Sequence, residues 1–339
     1  AIPSTPSPNS PHLDSFSLKA SESIWTNRRF ERNLYPVTTR RKFITTTGST
    51  MAAASIAPAS DADKDAPLLS FGLIADCQYA DVDPAGTRFY RQSAAKLDQA
   101  VNQLNRHDLR FSLHLGDFID RDFKSFTELK PVITKLKSRL YHALGNHDFD
   151  VEEHLKSKVP AELGLTNTYY AFHHAGFRFL VLDTTEVSTY RYPGKDAATL
   201  SAQEELRALA AAGKPYAQSW NGRVSDRQFL WLTEQLKQAT DAGESVLAFG
   251  HHPILPEEAH STWNCGALHK LLSQFPCCKA YLNGHRHSGG YQFKDGMHYL
   301  TLHGMLDTQD NAFSLAHLHR SCLEIEGFGR QQSRIISFR

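Results

Sequence analysis

Five short stretches of this chain carry side chains that ligate metals: Asp76 and Gln78 in D-C-Q, Asp117 in G-D-F-I-D, Asn146 in G-N-H-D, His251 in G-H-H-P, and His285 and His287 in G-H-R-H. Carboxylate, amide oxygen and imidazole suit divalent ions, and two such ions about 3.5–4 Å apart can hold a bridging hydroxide and clamp a phosphoryl group. Any one stretch read alone is a turn with a hydrogen-bonded side chain. What carries the metal reading is that all five occur in this order, each just after an apolar run of strand length. Residues two apart on extended backbone point the same way, so Asp76 pairs with Gln78 and His285 with His287. Asp117 has two oxygens and is expected to bridge. One ion then takes Asp76, Gln78, Asp117 and His287; the other takes Asp117, Asn146, His251 and His285.

The elements that must position these residues read as an α/β chain. Leu69–Ala75, Phe111–Leu115 and Leu140–Leu144 are strands, separated by helical patterns over Arg88–Asn105 (Leu97, Val101, Leu104) and Phe126–Leu136. Strand, helix, strand, helix, strand makes right-handed crossovers of a parallel sheet. A helix is expected near Val151–Leu163, then strands Thr168–His173 and Phe177–Leu182 joined at Ala175-Gly176 as a hairpin. The stretch from Asp183 to Asn221 is the least regular, with a helix at Ser201–Ala212. Helix Asp226–Thr240, strand Val246–Phe249, helix Ala267–Phe275 and strand Ala280–Leu282 follow. The end of the chain is β-rich, with strands at Tyr291–Phe293, His298–Leu302 and Phe313–His317. Two facing sheets with helices outside, in one domain over 67–339, is the expected architecture.

The 339 residues suffice for a large core, and a formal net charge of +1 gives no bulk attraction to nucleic acid or an acidic membrane. No uninterrupted apolar stretch is long enough to span a bilayer. Five cysteines, two of them the adjacent Cys277 and Cys278, do not make a disulfide framework, and Cys77 is expected to point into the core. Residues 1–66 differ from the rest. A Ser/Pro-rich start reads as disordered. T-T-R-R-K-F-I at Thr38–Ile44, a weakly apolar stretch and Ala57-Pro58-Ala59 resemble a twin-arginine export signal with its cleavage site. A basic transit-type leader is the other reading, so an exported or a cytoplasmic location follows according to which holds.

The five motifs in this order resemble the calcineurin-like metallophosphoesterase superfamily over about Leu68 to His319, which implies a four-layer α/β/β/α sandwich of two facing mixed sheets. Gln78 replaces the usual first-motif histidine, and Asp120 stands where purple acid phosphatases carry an iron-ligating tyrosine. Gln and Asn ligands favour manganese, with iron or zinc as alternatives. Further stretches are similar to manganese-dependent ADP-ribose/CDP-alcohol diphosphatases: F-G-L-I-A-D-C-Q-Y-A-D from Phe71, R-F-Y-R-Q-S from Arg88, W-N-G from Trp220, W-N at Trp263, G-H-R-H-S-G-G-Y from Gly284 and H-G-M-L-D-T from His303. The resemblance implies hydrolysis of the anhydride in a small nucleotide, releasing a nucleoside monophosphate and a second phosphorylated product.

On the same resemblance His147 donates to a phosphoryl oxygen or protonates the leaving group. Asp148 is expected to orient it, or else to cap the next helix. Arg88 and His252 are candidate phosphate contacts, against surface charge for the one and a buried structural histidine for the other. Trp220 and Asn221 of W-N-G line the expected substrate side, and Trp263 is the favoured stacking partner for a base. Two other functions stay open: a general phosphomonoesterase or phosphodiesterase with the same two metals, and a non-catalytic scaffold on the same fold.

Overall fold

Alternation along the strands decides which residues face which layer. In β1 (Leu69–Ile74), Phe71 and Leu73 point to one side and Ile74 to the other; β2 (Phe111–Leu115) does the same with Phe111, Leu113 and Leu115. The structure is a computed structural model in which residues 66–338 are described. The remaining elements are α1 (Ser93–Leu104), α2 (Lys124–Ile133), β3 (Arg139–Ala143), α3 (Val159–Glu162), β4 (Tyr170–His174), β5 (Phe177–Val181), β6 (Val187–Ser188), α4 (Ala197–Ala211), β7 (Gly222–Arg223), α5 (Asp226–Ala242), β8 (Ser245–Phe249), α6 (Cys265–Ser273), β9 (Cys278–Asn283), β10 (Ser288–Lys294), β11 (Met297–His303), β12 (Ala312–Leu318), β13 (Cys322–Gly329) and β14 (Arg334–Ser337). The export-type leader lies outside the described residues but for its last position.

Two six-stranded sheets, ordered β14-β13-β12-β1-β2-β3 and β10-β11-β9-β8-β5-β4, face each other. Three apolar interfaces make the four layers. Phe71, Leu73, Phe111, Phe179, Leu247, Phe249 and Leu282 meet between the sheets. Leu97, Val101, Leu104, Phe126 and Leu129 of α1 and α2 cover the outer face of the first sheet. Leu232, Leu236, Leu268 and Leu272 of α5 and α6 cover that of the second. Both sheets are mixed: β1, β2 and β3 run parallel, as do β5, β8 and β9, while β12 joins β1 and β4 joins β5 antiparallel. Ala175 and Gly176 close the β4–β5 hairpin with φ of 51° and 78°, the backbone of a tight hairpin turn. Cys77 is buried in the α1 interface, and the five cysteines are free thiols.

Two expectations need correction. Over 151–163 there is no continuous helix, only a 3-10 stretch at Glu153–Lys158 and one α-turn. Pro160 brings no N–H to continue the run from Glu153 and sits instead in the first turn of the short α3. At the other end β13 and β14 add two strands that were not anticipated, although Leu323 and Ile325 alternate with Glu324 and Glu326 as a half-buried strand should. No helix among the described residues is long and apolar enough to cross a membrane.

Two histidines on the helix-covered face make the fold acid-sensitive. His114 of β2 and His142 of β3 stand in register beneath the Phe118 ring. Both His114 nitrogens and His142 Nδ1 lack a hydrogen-bond partner among the described residues. Burial holds the His142 imidazole down at about 4. Its unfolded counterpart titrates near 6.5, so the unfolded chain binds the proton first. Stability is therefore complete above about pH 6.5 and falls toward pH 4, by about 3 kcal/mol for this one group. His142→Leu is expected to flatten that limb by one proton in denaturant melts at pH 4.5 and 7; an unchanged slope would remove His142 as its cause.

Candidate active site

The metal-type residues all stand at the C-terminal ends of parallel strands. Asp76 and Gln78 follow β1, Asp117 follows β2, Asn146 and His147 follow β3, His251 follows β8, and His285 and His287 follow β9. Asp76, Gln78, Asp117 and His285 have φ of 52°, 43°, 58° and 70°. Left-handed backbone is unfavourable for residues with a Cβ, and strain of this kind collects at functional sites. Close packing enforces it. A Cβ on Gly145 would collide with the Asp117 carboxylate, and one on Gly284 would lie 2.6 Å from Asp76 Oδ2.

The hydrogen bonds fix the tautomer of each imidazole. His251 Nδ1–H donates to the Leu115 carbonyl at 2.8 Å. Asn221 spends its amide N–H groups on the carbonyls of Tyr216 and Ala259, so its Oδ1 faces His285 and receives Nε2–H at 3.0 Å. His287 Nδ1 faces Asp307 Oδ2 at 3.4 Å. Each ring thus turns a lone pair into the site, the arrangement that outer partners impose on metal-ligating histidines.

Those lone pairs converge. His251 Nε2 lies 3.2 Å from Asp117 Oδ2, 3.1 Å from Asn146 Oδ1 and 3.2 Å from His285 Nδ1. All four atoms are acceptors, with no proton of their own to share, so the cluster calls for a cation. Ligands of an octahedral ion at about 2.1 Å stand about 3 Å apart, as these do. Burial lowers His251, but the Asp117 carboxylate outweighs burial and pushes it up to about 9, the same negative charge that would hold a cation there. His285, pressed well below its ordinary value by burial and by neighbouring imidazoles, stays neutral as a ligand must.

The second group is Asp76, Gln78, Asp117 and His287. Gln78 Nε2 sits 2.9 Å from both Asp117 Oδ2 and His287 Nε2, while Gln78 Oε1 is buried without a partner among the described residues. A half-turn of this amide exchanges the two atoms without changing its shape. Turned so, the orphan oxygen becomes the missing ligand. Both groups therefore fit divalent ions, and they share Asp117.

Beside the cluster opens a cleft of about 380 Å³ lined by Gln78, Arg88, Asn146, His147, Trp220, His260, His285 and His287. That is within the range of small-ligand sites. His147 Nδ1 pairs with Asp120 Oδ1 at 3.0 Å, which leaves Nε2 for the cleft.

Comparison with known proteins agrees with this geometry. The sequence profile described as calcineurin-like phosphoesterase matches residues 69–289. The chain belongs to the calcineurin-like phosphoesterase family. Among curated relatives, a manganese-dependent ADP-ribose/CDP-alcohol diphosphatase of Arabidopsis thaliana is 29% identical over 303 residues, covering 79% of this chain and 96% of the relative. One of that name from Homo sapiens is 27% identical over 334 residues, covering 83% and 96%. Among solved structures, a dimetal phosphatase from Danio rerio superposes with a TM-score of 0.70 at 26% identity, covering 80% of this chain and all of that one.

Four expected roles are corrected in this phosphoesterase. Asp148 does not touch His147; its carboxylate accepts the backbone N–H groups of Asp117, Phe118, Ile119 and Gly145 and so shapes the Asp117 turn. Asp120 takes the orienting place instead. Asn221 is buried and holds His285, so it is a positioning residue and not a substrate contact. His252 is buried between Thr184 Oγ1, 2.8 Å from Nδ1, and the Trp220 carbonyl, 3.2 Å from Nε2; burial holds it down at about 3. Trp263 is 3% exposed, in the core, with Nε1–H on the Gln218 carbonyl, and offers no face to a base. Trp220, 44% exposed, and Arg88 both line the cleft. Asp120, His260 and Asp307 were missed. Asp120 left a sequence signal as the second carboxylate of G-D-F-I-D, and Asp307 as the carboxylate of H-G-M-L-D-T.

Proposed function

We propose that this phosphoesterase is a manganese-dependent diphosphatase that hydrolyses the anhydride of small nucleotides, with ADP-ribose and CDP-alcohols as the substrate class. The observation that carries this reading is the convergence of six donor side chains around a shared Asp117 beside the His147–Asp120 pair. Asp76, Gln78, Asp117 and His287 would hold one divalent ion, and Asp117, Asn146, His251 and His285 the other. Bound there, two such ions supply Lewis-acid charge cancellation and lower the pKa of water.

The rest falls to the protein. Arg88 brings a guanidinium to a diphosphate, and Trp220 presents an indole face to a base at the open end of the cleft. Water attacks phosphorus in line and gives up a proton to solvent as the anhydride P–O bond breaks. His147 Nε2–H delivers a proton to the departing phosphate oxygen while Asp120 holds Nδ1, and solvent afterwards returns a proton to His147. The relatives' names support the nucleotide substrates and the choice of manganese.

A hydrolysis panel on the full chain with manganese tests the reading. It compares ADP-ribose and CDP-choline with p-nitrophenyl phosphate and bis-p-nitrophenyl phosphate. Higher kcat/KM on the nucleotides, with AMP or CMP released, is the expected result. Preference for the simple esters would replace the substrate class with a general phosphoesterase. Absence of turnover with every divalent ion would leave a scaffold.

A further inference from the structure

The H-G-M-L-D-T stretch has no role in the chemistry above, yet it surrounds His287. A Cβ on Gly304 would lie 2.8 Å from the His287 ring, so this glycine lets the backbone close on the imidazole. Asp307 Oδ2 faces His287 Nδ1 at 3.4 Å, and Asp307 Oδ1 accepts from Thr87 Oγ1 at 3.3 Å. Met305 N–H and Leu306 N–H donate to the carbonyls of Ala75 and Asp76, each at 2.9 Å. The turn thereby links the Asp76 backbone with the outer nitrogen of His287.

What holds the turn is a lysine from α1. Lys96 is 4% exposed, and its Nζ donates to the carbonyls of Met305 at 2.8 Å and Thr308 at 2.5 Å, with those of Asp307 at 3.3 Å and Leu306 at 3.4 Å sharing the remaining N–H. Four consecutive carbonyls aimed at one point need irregular backbone, and Thr308 has φ of 60°. The ammonium finds carbonyl oxygens here, not a carboxylate. A buried charge is costly unless it is fully hydrogen-bonded, and an apolar residue on this face of α1 would carry no such demand. Burial and the nearby Arg330 lower Lys96 only to about 8, so it is still a cation at neutral pH.

We propose that Lys96 is a positioning residue for one metal position: its ammonium gathers the carbonyls of 305–308, so that Asp307 fixes the tautomer and aim of His287. This rests on the two-metal reading of Asp76, Gln78, Asp117 and His287 and goes beyond it, since Lys96 touches no ligand. Loss of an outer partner of a metal-ligating histidine weakens metal binding about 10–100-fold.

Manganese titration calorimetry on the full chain, wild type and Lys96→Met, reads this directly. The methionine keeps the packed stem and removes the charge. Wild type is expected to take up two ions. Lys96→Met should hold one ion with wild-type affinity and the other about 10–100-fold more weakly, with kcat recovered within a few-fold at saturating manganese. Asp307→Asn should weaken the same ion, and the double variant no further than the stronger single one. Unchanged affinity in folded Lys96→Met would overturn the proposal. So would equal weakening of both ions with a lowered Tm, which marks a merely structural lysine. Should Lys96→Met not fold, Lys96→Gln, which keeps an amide donor for the carbonyls but no charge, is read by the same criteria: one weakened ion supports the link and two unchanged ions overturn it. Wild type that binds no manganese would overturn the two-metal reading itself, a result distinct from any variant's.

Discussion

Asp117→Asn is expected to lower turnover about 10³-fold or more and to strip manganese from both positions. Asp117 is fully buried, and each of its oxygens is committed. Oδ1 accepts the His147 backbone N–H at 2.8 Å, and Oδ2 faces His251 Nε2 at 3.2 Å and the Gln78 amide at 2.9 Å. Burial alone would raise this carboxyl, but the His251 and His147 imidazoles hold it well below the usual carboxylate range. Asparagine has nearly the same shape but no charge, and one of its two polar atoms is a donor. It can satisfy the His147 N–H with Oδ1 only by turning an NH₂ group toward the ligand cluster, which repels a cation. If it turns the other way, the His147 N–H faces a donor and loses its acceptor. The fold should survive, because the Asp148 carboxylate still holds the turn through the N–H groups of Asp117, Phe118 and Ile119. Metal content after desalting, together with kcat at saturating manganese, checks this. Near-wild-type turnover with two ions per chain would sink the assignment.

The metal-type residues were legible because each signal was local. A strand-length apolar run, a glycine and then a donor is readable at Leu115-Gly116-Asp117 or Phe249-Gly250-His251 without knowing what lies opposite. The parallel run of β1, β2 and β3 follows from the same runs, since these strands need crossovers of helix length. Partnership was not legible. Asp148 adjoins His147 in sequence, yet the one-turn 3-10 helix at His147–Phe149 carries its carboxylate inward to the backbone of the Asp117 turn. Asp120, 27 residues earlier, reaches His147 because β2 and β3 run parallel and place their terminal loops side by side. His252, Asn221 and Trp263 failed in the opposite sense. Each belongs to a motif beside the site, but its side chain is spent in holding that motif. Which tryptophan is core and which is rim depends on how the irregular stretch over 183–221 folds back, and no periodicity encodes that.

His147→Ala is expected to lose about 10²–10⁴-fold in kcat on ADP-ribose while keeping both manganese ions. Only the His147 backbone N–H touches Asp117, so removing its imidazole leaves the ligand cluster intact. Burial would lower the imidazole, but Asp117 and then Asp120 outweigh it and raise its pKa, which favours the protonated form. As an acid it must be protonated, and the alkaline limb of kcat marks its loss of that proton. Asp120→Asn removes one of the causes that raise it, so that limb should move to lower pH as kcat falls. The leaving group then separates two roles. A departing phenolate, whose conjugate acid titrates at about 10, needs a proton more than the far less basic p-nitrophenolate does. If His147 serves the leaving oxygen, His147→Ala should cost at least about ten times more on phenyl phosphate than on p-nitrophenyl phosphate. Equal losses on the two substrates would place Nε2–H on a non-leaving phosphoryl oxygen, where charge develops whatever departs.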